Sequence, residues 1–142
     1  MPELATLAVG DELPPITRTL DRLQLVLYAA GSGDFNPLHY DPDFPQARQI
    51  GDNIVFGRLK YAALGQLVSD WLGHQGFIRR ISASYRGMDR RGQSFTCRGR
   101  VTGLRQERGQ HIAELELWTE GSDGRRTTEG TAEVVLTPAD SG

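Results

Sequence analysis

From Gly76 onward the chain alternates apolar and polar residues with a period of two, in four separate runs. Ile81, Ala83 and Tyr85 alternate with Ser82, Ser84 and Arg86. Phe95, Cys97, Gly99 and Val101 alternate with Thr96, Arg98, Arg100 and Thr102. Ala113, Leu115 and Leu117 alternate with Glu114 and Glu116. Thr128, Gly130, Ala132, Val134 and Leu136 alternate with Glu129, Thr131, Glu133 and Val135. Turn signals at Arg91-Gly92, Arg108-Gly109 and Ser122-Asp123-Gly124 separate them. Runs of this kind are strands with one apolar and one polar face, and together they form an antiparallel sheet that needs a cover on one side only.

The cover must come from upstream. Leu59, Ala63, Leu67 and Trp71 stand four apart between Gly57 and Leu72, and Gly73 follows as a stop. The spacing predicts a long helix there. It is apolar around much of its girth and carries small residues at Ala62, Ala63 and Gly65, so it is expected to be buried on several sides. Before it, Ile16 to Leu20 reads as a strand after the Pro14-Pro15 break. Asp21 with Gln24 reads as a capping box. Leu23, Val26, Leu27 and Ala30 follow at helical spacing, and the helix should end at Gly31 or Gly33. Gly33 to Pro45 is a proline-interrupted loop, with a short turn of helix near Phe44 to Gln49 and a turn at Gly51-Asp52-Asn53. Residues 1–142 therefore read as one α+β domain.

Composition excludes several classes. A net charge of −2 and a pI near 5.9 argue against a nucleic-acid binder. A single cysteine, Cys97, excludes an intrachain disulfide and a cysteine-cluster metal site, and no metal is expected. The start, Met1-Pro2-Glu3-Leu4, has no basic, apolar run of the signal-peptide kind. The stretch from Leu59 to Leu72 is interrupted by Lys60, Gln66 and Asp70 and is too short for a bilayer. A soluble cytoplasmic protein without a membrane partner is the expectation. Lys60 is the only lysine among 16 basic residues, and eleven arginines lie from Arg79 onward. A GC-rich genome accounts for such a bias; arginine's planar fork also suits phosphate.

Of three histidines, His74 and His111 read as solvated. His39 differs, because it follows Asp34 by five residues across the fixed turn Asn36-Pro37. Imidazole exchanges protons near neutrality, and a carboxylate beside it can orient a water. The same pair also fits a loop carboxylate that caps backbone amides with an imidazole packed on it. Gly57 opens the long helix, where an unpaired N–H favours developing negative charge; close helix–sheet packing would equally call for glycine there.

The segment Tyr28-Ala-Ala-Gly-Ser-Gly-Asp-Phe-Asn-Pro-Leu-His39 closely resembles the hydratase motif of MaoC-like proteins, the (R)-specific enoyl-CoA hydratases and related dehydratases. Ile54-Val-Phe-Gly-Arg-Leu59 is similar to their second landmark, and Arg91-Gly92-Gln93 to a later turn. The likeness runs from about Val9 to Pro138. It implies a single hot-dog fold, a curved antiparallel sheet wrapped around a long central helix. It implies reversible syn hydration of a trans-2-enoyl thioester to an (R)-3-hydroxyacyl thioester. Asp34 and His39 would act on a water, and the Gly57 N–H would serve as oxyanion donor. Asn36 would hold the loop, with Phe56, Arg58, Tyr61 and Gly65 completing the substrate site. No cofactor is implied beyond the thioester's own handle, coenzyme A or acyl carrier protein. Family members usually dimerise edge to edge, so a homodimer is expected, with a heteromer as the alternative.

The chain departs from the family pattern in places. Phe56 stands where a histidine commonly precedes the glycine. Arg58 and Lys60 stand where apolar residues are usual, and Gly65 where some hydratases carry serine. Lys60 reads as solvated; Arg58 is balanced between solvent, a bound anion and a second subunit. Arg79, Arg80, Arg86, Arg90 and Arg91 are candidates for the phosphate of the handle. Two other functions fit the chain as alternatives: a non-catalytic or heteromer-forming acyl-thioester-binding subunit, and a hot-dog thioesterase. The latter needs a carboxylate on the long helix near Gly57, whereas that helix has only Asp70 at its far end.

Overall fold

The computed structural model describes residues 2–3 and 5–137. Met1 and Leu4 of the N-terminal stretch, and Pro138 at the far limit of the family resemblance, lie outside them. Five strands form one antiparallel sheet: β1 (Ile16–Thr19), β2 (Gly76–Tyr85), β3 (Ser94–Glu107), β4 (Gln110–Glu120) and β5 (Arg126–Leu136). Their spatial order is β1-β3-β4-β5-β2, which leaves β1 and β2 as edges. Helices α1 (Arg22–Ser32), α2 (Pro45–Ile50) and α3 (Gly57–Leu72) lie between β1 and β2 in sequence. The sheet curls around α3, which packs against β2, β3, β4 and β5. This is the hot-dog architecture, α+β.

The period-two faces fall where the pattern places them on β3, β4 and β5. Phe95, Cys97 and Val101 meet Ala113, Leu115 and Leu117, then Ala132, Val134 and Leu136, all buried under Leu64, Leu67, Val68 and Leu72 of α3. Fully burying each large aliphatic side chain contributes about 1.5–3 kcal/mol. The strands run longer than the alternation suggests because cross-strand pairing continues past it, as at Leu104↔Ala113 and Glu107↔Gln110. Burial pushes the Cys97 thiol up to about 12, so it is a core group without thiolate character at neutral pH.

Helix α1 departs from its stripe. Its buried residues are Leu25 and Ala29, while Leu23, Val26 and Leu27 are exposed. The helix presents a narrow i, i+4 edge to the core, and tertiary packing, rather than the broader 23/26/27/30 spacing, chose that face.

The sheet's outer face is polar and ordered by arginine. Glu133 binds both Arg79 and Arg105, and Glu116 binds both Arg100 and Arg126. Arg126 also stacks 4.3 Å from the Trp118 ring centre. Hydrogen bonds from Arg79 and Arg105 hold the Glu133 carboxyl down from the ordinary 4.5 to about 2. The Arg126 hydrogen bond lowers Glu116, and the Trp118 indole N–H lowers Glu120. A depressed native carboxylate stabilises the fold above its unfolded pKa, and that contribution disappears as pH falls through the native value. Thermal melts are expected to be flat above about pH 5 and to fall progressively below it toward pH 2. A Glu133→Gln variant should show a shallower acid slope; an identical slope would exclude this origin.

Candidate active site

The capping box at the start of α1 is formed as expected: Gln24 N–H donates to Asp21 Oδ1 at 2.8 Å and Asp21 N–H to Gln24 Oε1 at 2.9 Å. The helix ends at Gly33, which is left-handed at φ 74°. The chain then enters a loop tied by its own side chains. Asp34 Oδ1 accepts the Asn36 N–H at 3.2 Å, and Asn36 Oδ1 accepts the Leu38 N–H at 3.1 Å. Asn36 thereby caps the 3-10 turn Pro37–His39. Tyr40 donates its hydroxyl to Phe35 O at 2.7 Å.

A residue that sequence reasoning treated only as part of a turn holds the loop from outside. Asn53, fully buried, donates from Nδ2 to Leu38 O at 2.9 Å and to Asp41 O at 2.8 Å. Arg91 anchors the same segment: it binds Asp52 through Nε at 3.1 Å and Nη2 at 2.9 Å, and its N–H donates to Asn53 O. No local pattern marks Asn53, since its partners lie 12 and 15 residues away.

His39 Nδ1 lies 2.8 Å from Ile54 O. A carbonyl oxygen only accepts, so Nδ1 carries the hydrogen in the neutral ring and Nε2 keeps its lone pair. The imidazole stacks on Phe56 with ring centres 3.8 Å apart and planes 20° apart. Phe56 is buried and also touches Tyr28, at 4.7 Å between centres. This aromatic wedge therefore fixes the imidazole plane.

The residue after Phe56 is Gly57, the first of α3. Phe56 is extended and makes no side-chain cap hydrogen bond at the positive end of the helix. The Tyr85 ring covers the Cα of Gly57: a Cβ there would stand 3.1 Å from Tyr85 Cε1 and Cζ. Only glycine accommodates this approach without displacing the ring. Tyr85 comes from β2, far away in sequence, and belongs to the site although sequence reasoning passed it over.

Electrostatics gather the remaining groups around Tyr28. Burial pushes its phenol upward, the Arg58 guanidinium opposes this, and the charges of Tyr85 and Asp34 add to the rise. Tyr28, Asp34, Arg58 and Tyr85 thus share one electrostatic neighbourhood beside Phe56. Arg58 is exposed. Tyr61 donates to Ile81 O at 3.3 Å, toward β2, and Gly65, one turn on, has open space where a Cβ would stand. Tyr28 also lines a cleft of about 520 Å³ between β1, α1 and α3, with Leu59, Ala62 and Ala63 on its α3 wall. Among the described residues, no cluster of three His, Cys, Asp or Glu side chains suits a metal.

Lys60 corrects the sequence reading. It is buried, 2% exposed, and its Nζ lies 3.0 Å from Asp89 Oδ2 and 3.0 Å from Gly87 O. Thr127 donates to the same Asp89 oxygen at 2.6 Å and accepts from Thr119 at 2.8 Å. The shift in register between β4 and β5 at Thr119/Glu120 leaves Thr127 without a register partner on β4. Asp89 O also accepts the Val55 N–H at 2.8 Å. The ion pair therefore ties the first turn of α3, and the chain just before Gly57, to segment 87–89. The solvated expectation failed because Asp89, 29 residues away, supplies the counter-charge.

The MaoC like domain model matches residues 6–120. Over 115 residues the chain is 30% identical to fatty acid synthase subunit beta of Aspergillus oryzae, covering 79% of this chain and 6% of that far longer protein. Over 122 residues it is 29% identical to the (R)-specific enoyl-CoA hydratase of Aeromonas caviae, covering 85% of this chain and 90% of that one. The solved structure of an (R)-hydratase from A. caviae involved in PHA biosynthesis superposes with a TM-score of 0.84 at 29% identity, covering 92% of this chain and 98% of that one. A chain of the ChsH1-ChsH2 complex from Mycobacterium tuberculosis shares the fold, with a TM-score of 0.77 at 21% identity over 91% of this chain and 98% of that one.

Proposed function

Since the chain belongs to the MaoC-like domain family, whose members include hydratases and dehydratases, we propose that it catalyses the reversible hydration of a trans-2-enoyl thioester to an (R)-3-hydroxyacyl thioester. The observation that carries this reading is the His39 imidazole, with Nδ1–H committed to Ile54 O and its plane packed on Phe56, the residue before the uncapped start of α3. Nε2 is left as a base at a helix N-terminus.

One water supplies both additions. Nε2 and the Asp34 carboxylate orient it; its oxygen bonds to C3 as a proton passes to the pair. The C2–C3 π electrons shift to make an enolate, whose oxygen lies against the Gly57 N–H. The held proton is then delivered to C2 from the same face, which makes the addition syn. The reaction is redox-neutral and uses no cofactor.

Two alternatives remain open to test. A non-catalytic acyl-thioester-binding or heteromer-forming subunit is favoured by one observation, the Tyr85 ring over Gly57. A thioesterase is disfavoured, because Asp70 sits 13 residues along α3 from Gly57, about 20 Å at 1.5 Å per residue. A homodimer joined at sheet edges would use β2, the longer of the two edge strands. Among the described residues no helix is long and apolar enough to cross a membrane.

The assay is loss of the conjugated enoyl absorbance across a panel of enoyl-CoA and enoyl-acyl-carrier-protein esters. Silence across the panel overturns the reading. Gly57→Pro is the sharpest probe of the oxyanion donor. Proline suits the first helical position, and Phe56 already has the extended backbone that proline demands of its predecessor. In a Tyr85→Ala background, which makes room for the ring, turnover is expected to fall by about 10²–10³-fold with helix content intact. Unchanged turnover in that variant would remove Gly57 from the mechanism.

A further inference from the structure

The arginines fall into two populations. Those on the outer sheet face are closely paired: Arg100 with Glu116 at 2.6 Å, Arg105 with Glu114 at 2.6 Å, Arg98 with Glu120 at 3.0 Å. Arg79 and Arg91, both candidates for phosphate in the sequence, are likewise held by Glu133 and Asp52. A second group lines, together with the ion-paired Arg126, a polar pocket of about 360 Å³ between segment 86–93 and the β4–β5 turn. There Arg86 stands 3.6 Å from Glu129 and Arg125 stands 3.9 Å from Asp123, both too long for hydrogen bonds. Arg90 spends one donor on Ile50 O and, among the described residues, has no carboxylate partner. The pocket's buried acid, Asp89, is already neutralised by Lys60. Arg86, Arg90 and Arg125 thus bring three guanidinium groups whose fork geometry is largely unused.

The pocket is linked to the candidate site through the chain. Tyr85, against Gly57, is followed directly by Arg86, and Asp89 O holds the N–H of Val55. We propose that this pocket binds a phosphate group of the phosphopantetheine arm that carries the acyl thioester. Arginine forks match phosphate oxygens, and the flexible arm joins that phosphate to the thioester at Gly57. The inference rests on the enoyl-thioester reading. Coenzyme A and acyl carrier protein share this phosphate chemistry.

The test compares the wild type with Arg86→Gln/Arg125→Gln on three crotonyl thioesters: of coenzyme A, of acyl carrier protein and of N-acetylcysteamine, which carries no phosphate. The expected result is a KM raised roughly tenfold to a hundredfold for phosphate-bearing substrates. The kcat should stay within about twofold and the N-acetylcysteamine ester should be unaffected, since a binding contact remote from the reacting atoms acts on KM alone. A KM effect confined to coenzyme A assigns the pocket to its nucleotide phosphates; an effect on both carriers assigns it to the shared pantetheine phosphate. Arg100→Gln, on the outer face, should change neither. Equal KM values in wild type and double variant, or an equal loss with N-acetylcysteamine, overturn the proposal. Calorimetric titration with free coenzyme A separates this outcome from failure of the hydratase reading. If no ester is turned over, weaker binding to the double variant sustains the pocket and unchanged binding, or none to either protein, overturns it.

Discussion

Asp34→Asn is expected to lower turnover of a trans-2-enoyl thioester by about 10²–10⁴-fold while leaving the fold intact. The substitution is nearly isosteric, and the retained side-chain oxygen still accepts the Asn36 N–H that now reaches Asp34 Oδ1 at 3.2 Å. Asn36 keeps its cap on Leu38, and Asn53 keeps its grip on Leu38 and Asp41. On the proposed mechanism, what disappears is the negative charge that helps to hold the water and balance the imidazolium formed at His39. The loss should appear in kcat, because that charge acts most strongly when the imidazole is protonated. Melting temperature measured alongside should stay within a few degrees of wild type. Undiminished turnover in a folded Asp34→Asn protein would sink the assignment of Asp34, and a lost fold would place Asp34 in the scaffold.

The largest effect on stability is expected at Lys60. In Lys60→Met the Asp89 carboxylate stays buried, 3% exposed, with the Thr127 hydroxyl as its side-chain donor. Breaking one partner of a buried pair costs about 3–5 kcal/mol, because the remaining buried charge loses its direct counter-ion. Urea unfolding at neutral pH, followed by the fluorescence of Trp71 and Trp118, should show this loss. Adding Asp89→Asn should recover more than half of it, since the uncompensated charge is then gone. That non-additivity marks the pair as coupled. A loss below about 1 kcal/mol for Lys60→Met would be the signature of a solvent-screened pair and would contradict the burial. Catalysis should suffer as well, since the pair braces the first turn of α3 and segment 87–89 holds Val55.

Much of this architecture follows from short-range pattern. Alternation marks the apolar faces of β3, β4 and β5, and the four-residue spacing from Leu59 to Trp71 marks α3. Asp21, Gln24 and Gly33 delimit α1 by capping chemistry that needs only neighbours within one turn. The Asp34–His39 loop is legible for the same reason: its Asx turns close over two residues.

What local pattern could not carry is the identity of distant partners. Lys60 is buried because Asp89 and Gly87 meet it across the fold. Tyr85 joins the site because β2 folds back over the start of α3. Asn53 becomes a clamp because two loop carbonyls are delivered to it. On α1, Leu25 and Ala29 are buried in place of the wider apolar stripe because the neighbouring packing selects the face. The arginine excess was visible as a count, but only the register of β2 to β5 divided it into ion-paired and available groups. Residue order alone marks the elements and the apolar faces of β3, β4, β5 and α3, since these depend on neighbours a few positions apart. Folding sets which charges lose their water and brings the Tyr85 ring onto Gly57, because desolvation and close approach depend on groups distant in the chain.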